Sequence, residues 1–132
     1  MKRVMDMFEP KVSDAVVLST LREVVAERAE YVYSSPEYMD ADEEGGRCFY
    51  VHKDEDGTPV SPGCVIGVML HRLGVPLEWM QQLEARPASS LVGRLFPHLS
   101  ERTVLALNLV QSAQDNGDAW GLAYAKGTGE PI

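Results

Sequence analysis

Cys64 is the residue whose neighbours best suit nucleophilic chemistry. Ser61-Pro62 reads as a helix N-cap followed by proline at the first helical position. Cys64 then falls in the first turn, where unpaired N–H groups and the helix dipole favour a thiolate. A nucleophile also needs a base within hydrogen-bond reach, and the histidines available are His52, His71 and His98. His71 lies further along the same helix, about 10 Å away, so it forms no dyad with Cys64. His52 or His98 could approach only through the tertiary fold. Val65 and Ile66 follow directly, a setting more typical of a small buried core residue.

Adding Cys48 to these residues suggests zinc, with Cys48, His52, Cys64 and His71 as ligands. The spacing opposes it: four residues of strand separate Cys48 from His52 by about 13 Å, whereas zinc holds each ligand at about 2.3 Å. Free thiols are the expectation for both cysteines. Asp54, Asp56 and Gly57 echo part of a calcium loop, but its first position would be His52 and its twelfth Gly63. Gly63 and Gly67 lack the Lys and Ser or Thr that complete a phosphate loop. Asp40 and Asp42 sit where nothing holds them at a fixed separation. A helix-turn-helix over 90–114 would carry Arg102 alone as a base-reading cation. The expectation is therefore a protein with no catalytic residue, no metal and no cofactor.

Charge is the stronger signal. The chain of 132 residues carries −8, and the excess is uneven: residues 1–60 hold 14 acids and 7 bases, residues 61–132 hold 6 and 5. Such a surface repels phosphate backbones, which disfavours direct nucleic-acid binding, and attracts a basic partner. Glu37 to Asp56 contains eight acids against Arg47 and Lys53, with Tyr38 and Met39 embedded among them. Acids around apolar anchors suit a segment that orders on a basic surface; the plainer reading is solvation alone. The candidate binding residues are Tyr38, Met39, Asp40, Asp42, Glu43, Glu44, Tyr50, Asp54 and Asp56.

These residues require elements to position them. Ser13 opens an amphipathic helix with Val17, Leu18, Leu21, Val24, Val25, Ala29 and Val32 on one face, ending near Tyr33 before Pro36. Residues 36–46 read as a mobile acidic loop. Cys48 to His52 reads as a strand that turns at Asp54-Glu55-Asp56-Gly57 and pairs with an extended piece over 58–60, where Pro59 excludes a central strand. The apolar helix after Pro62 ends at Gly74, with Val75 folding back towards Leu70, and Gly63 and Gly67 admit close approach of another element. Pro76 opens a short helix bearing Leu77, Trp79, Met80 and Leu83. A small helix over 90–96 follows. Ser100 caps the longest late helix, with Leu105, Ala106, Leu109, Val110 and Ala113 inward and Asn116-Gly117 as its stop. A last helix buries Trp120, Ala123 and Tyr124, and residues 127–132 read as a frayed tail. The pattern predicts an α+β fold: one mainly helical domain over 1–132 with one small β-hairpin packed on the helices. The hairpin's open edge makes a homodimer plausible. No apolar run approaches the roughly 18 residues of a membrane span, and Met1 to Asp6 lacks a signal peptide's apolar stretch. A cytoplasmic protein without membrane contact is expected.

The segments Cys48-Phe49-Tyr50-Val51-His52, Pro62-Gly63-Cys64-Val65-Ile66-Gly67 and Leu70-His71-Arg72-Leu73-Gly74-Val75-Pro76-Leu77 resemble small uncharacterised proteins of actinobacteria and their phages. Ala113-Gln114-Asp115-Asn116-Gly117 with Trp120-Gly121 resembles their carboxy-terminal ending, so the resemblance spans residues 47–123. It brings no activity or catalytic residue. It implies a phage or actinobacterial origin, where small acidic accessory proteins act by binding a host protein. The expected function is thus a non-enzymatic, acidic protein-binding factor acting in the host cytoplasm. The alternatives are a cysteine-dependent enzyme using Cys64 and a structural phage component.

Overall fold

Ser13 begins the first helix as its sequence requires, its Oγ accepting from the Val16 N–H at 3.2 Å. The computed structural model describes residues 12–34, 49–84 and 86–132. Helix α1 (Asp14–Glu27) leads to a hairpin of β1 (Val51–Lys53) and β2 (Pro59–Pro62), followed by α2 (Val65–Arg72), α3 (Leu77–Gln82), α4 (Ala88–Leu95), α5 (Glu101–Asp115) and α6 (Trp120–Thr128). This is the expected mainly helical α+β class with a single antiparallel hairpin among the described residues. None of the described helices is long and apolar enough to cross a membrane. The expected acidic loop over 36–46 lies outside the described residues.

The helix stops follow local chemistry closely. Gly74 adopts φ +99° beyond α2, its N–H bonds to the His71 carbonyl, and Val75 N–H reaches back to the Leu70 carbonyl at 3.0 Å. That pair of bonds is the Schellman motif expected there. Gly117, also at φ +99°, repeats it after α5, with Asp118 N–H on the Ala113 carbonyl. Ser100 Oγ accepts from Thr103 N–H and caps α5.

Elsewhere tertiary contacts override local preference. Helix α1 ends at Glu27, not near Tyr33, because the carbonyls of Ala29 and Tyr31 accept the N–H groups of Gly121 and Trp120 at the start of α6. Those carbonyls satisfy donors that helix α6 leaves unpaired. Val32, expected inside, is consequently exposed. Ser61 and Pro62 belong to β2 and do not open α2: Ser61 pairs with His52 and Pro62 with Val51, while Gly63 and Cys64 donate to the carbonyls of Tyr50 and Phe49. The helix starts only at Val65, with Cys64 as N-cap. Pro59, which cannot donate to a ladder, sits beside the irregularity that skips Val60.

One core joins the described helices to β1: Leu21 of α1 and Val51 of β1 meet Ile66, Met69, Met80, Leu91, Phe96, Leu107 and Trp120 in it, each 0–1% exposed. Gly67 lets the hairpin lie directly on α2, since a Cβ there would stand 2.2 Å from the Tyr50 carbonyl oxygen. Helix α5 turns a different face inward than its leucines suggest. Val110 and Ala113 are buried as expected, together with Thr103, Leu107, Gln111 and Gln114, whereas Leu105 is 56% and Leu109 44% exposed. Gln114 explains the rotation: its Oε1 accepts from the Val65 N–H at 2.8 Å and from Trp120 Nε1 at 3.1 Å, which caps α2 and anchors α6 together. Helix α6 runs on to Thr128 and packs Gly127 against Val110, so helical structure continues beyond the point where fraying was expected.

Candidate acidic binding site

Asp54 builds the hairpin tip. Its Oδ1 accepts from the N–H groups of Asp56 and Thr58, both at 2.9 Å, and its carbonyl accepts from Gly57, which adopts φ +87°. This is an Asx-type turn, so Asp54 serves the backbone and is not a free contact. Gln81 of α3 donates to the Gly57 carbonyl at 3.0 Å and ties the tip to the body. Glu55 and Asp56 remain exposed at the tip, and no cation among the described residues pairs with either carboxylate.

Tyr50, expected as an exposed anchor, is 4% exposed and belongs to the core. Its hydroxyl donates to the Arg86 carbonyl and its N–H to Glu84. Tyr50 precedes β1, and Phe49, Tyr50 and Val51 are buried in succession. Of the candidate residues, Tyr38, Met39, Asp40, Asp42, Glu43 and Glu44 lie outside the described residues. The structure therefore places Asp54 and Asp56 together at the tip and separates Tyr50 from them.

Two residues without any local signal hold the base of this hairpin. Glu84 accepts from Tyr50 N–H with one carboxylate oxygen and from Val51 N–H with the other, at 3.0 and 2.9 Å. At that point the edge of β1 is occupied, which removes those donors from strand pairing with a second copy. Tyr33 Oη accepts from Phe49 N–H at 3.2 Å and contacts His52 Nε2 at 2.7 Å. The flanks of the acidic segment thus meet at one phenol. Desolvation in this half-buried position pushes the His52 pKa below its usual value. Neither contact was legible locally, because Glu84 and Tyr33 act over 33 and 16 residues of chain.

Of the groups considered for nucleophilic or metal chemistry, Cys48 lies outside the described residues, and the His52 ring lies against Gly63. Cys64 is fully buried at the N-cap of α2. His71 is exposed in the last turn of that helix, and His98 Nε2 contacts the Val12 carbonyl at 2.6 Å. Among the described residues, no three of His, Cys, Asp and Glu converge as a metal site would require. In comparison with protein-family models, curated proteins and solved structures, the chain matches none.

Proposed function

We propose that this protein is a non-enzymatic binding factor that docks a basic protein surface through its acidic region, residues 37–56, and that it acts as a phage accessory protein on a host protein. The observation that carries this reading is the hairpin tip, where Asp54 and Gly57 fix the backbone and leave Glu55 and Asp56 exposed, with no cation among the described residues paired to either. Unpaired carboxylates on a held turn lose little entropy on meeting Lys or Arg, and their field steers association. Tyr38 and Met39 supply the apolar contacts; Tyr50 does not, being committed to the core.

The test is capture of partners from an actinobacterial lysate at low and high salt. The wild type is compared with a variant carrying Glu55→Gln, Asp56→Asn, Asp40→Asn, Asp42→Asn, Glu43→Gln and Glu44→Gln. One partner, lost at high salt and lost with the variant, is the expected result. Capture that the variant leaves unchanged in amount and salt dependence overturns the proposed surface. Competition by DNA would mark the partner as a nucleic-acid-binding protein.

A further inference from the structure

On the side of the molecule where α1, α5 and α6 meet, a half-open cavity of about 240 Å³ is lined by residues of all three helices and of the tail after α6. At about 30 Å³ per water, that space holds roughly eight water-sized groups. Its walls combine the apolar Leu18 and Ala106 with Arg102, Tyr124 and Glu130. Backbone geometry builds it. Gly127 brings α6 against Val110 and the Ala106 carbonyl, closer than any side chain would allow. Gly129 at φ +80° then turns the tail, and the Thr128 hydroxyl holds Glu130 N–H at 3.2 Å, so that Glu130 returns over the opening.

Some polar groups around the cavity are committed to the fold and others are not. The Thr103 hydroxyl donates to Asp14 and the Thr128 hydroxyl to the Tyr124 carbonyl. Tyr124 is 3% exposed, yet its hydroxyl has no partner among the described residues and is not sealed from solvent. Tyr124 is one of the residues that line this cavity. Arg102 and Glu130 line the same cavity with opposite charges, and among the described residues neither forms an ion pair with the other or with any neighbour. An exposed cation and an exposed anion, unpaired among the described residues and set around an apolar wall, match a small ligand that carries both charges and an aliphatic body.

We propose that this cavity binds a small aliphatic zwitterion of the α-amino-acid class, with Arg102 taking the carboxylate, Glu130 the ammonium, Tyr124 a further polar atom, and Leu18 and Ala106 the side chain. L-Leucine is the probe, used with its two singly charged relatives, 4-methylpentanoate and 3-methylbutylamine. Amide NMR shifts of the full chain are followed on titration to about 10 mM, the range in which so small a ligand binds. Saturable shifts at Ala106, Tyr124 and Thr128 are expected for leucine. Arg102→Gln and Glu130→Gln should each weaken binding about tenfold, and Tyr124→Phe, which keeps the ring and hence the packing, several-fold. Arg102→Gln should affect leucine and 4-methylpentanoate but leave 3-methylbutylamine alone. The absence of saturable shifts with leucine, or shifts that both charge variants leave unchanged, overturns the proposal. Equal binding of 4-methylpentanoate and leucine overturns the zwitterion class and leaves a carboxylate site.

Discussion

Tyr33 and His52 form a pair whose titration has a measurable consequence. Phe49 N–H donates to Tyr33 Oη, and the same phenol oxygen lies 2.7 Å from His52 Nε2. Desolvation holds the His52 pKa below its ordinary 6.5. As pH falls through that value the unfolded chain protonates first, so it binds more protons than the folded chain and stability declines. The contribution is present above about pH 6.5 and is lost on acidification. The urea midpoint is therefore expected to be lower near pH 5.5 than near pH 7.5, and His52→Gln, which keeps a polar partner for Tyr33 without titrating, should flatten the difference. An unchanged slope in that variant would assign the effect to another group. Asp14 and Glu27 do not confuse the window. Hydrogen bonds from Ser100 and from Arg72 hold their carboxyls below the ordinary 3.8 and 4.5, so their contributions are lost only at lower pH.

At the scale of elements, two glycines make opposite predictions. Gly67→Ala would push a methyl to 2.2 Å from the Tyr50 carbonyl and force the hairpin off α2, a loss of about 3 kcal/mol or more. Gly93, within α4, has open space on the side where a methyl would stand, with nothing within 4 Å, so Gly93→Ala should stabilise by about 0.5–1 kcal/mol through helix propensity. Denaturant unfolding of both variants checks the pair, and equal effects would mean the hairpin does not rest on α2 as described. The close approach at Gly67 was readable from its spacing with Gly63, as were the stops at Gly74 and Gly117 and the caps at Ser13 and Ser100. All of these depend on neighbours within a few residues. The start of α2, the end of α1 and the inward face of α5 were not readable. Each is decided by a partner distant in sequence: the hairpin carbonyls of Phe49 and Tyr50, the α6 donors Trp120 and Gly121, and Gln114. The same holds for the candidate site. Turn chemistry placed Asp54 and Asp56, whereas the burial of Tyr50 is decided by Glu84 and Arg86, 34 and 36 residues away in the chain.

For the whole molecule, Cys64 offers a test of how the core holds together and of whether a thiol chemistry exists. It lies at the junction of the hairpin and α2, fully buried, with its N–H on the Phe49 carbonyl and the next N–H on Gln114 of α5. Exposing the thiol means parting the hairpin from α2 or lifting α5, and both elements belong to the one hydrophobic core. Opening at Cys64 should therefore cost nearly the full free energy of unfolding. In a Cys48→Ser background, which leaves one thiol, labelling of Cys64 by a thiol reagent is expected to be about a thousandfold or more slower than in the unfolded chain. The rate should rise with urea along a slope that matches the equilibrium m-value, because the same surface is exposed in both processes. A slope much smaller than m would reveal a local opening between hairpin and helix. Rapid labelling that urea does not change would mean that the native thiol is reached directly, and it would put the alternative of a cysteine-dependent enzyme ahead of a binding factor.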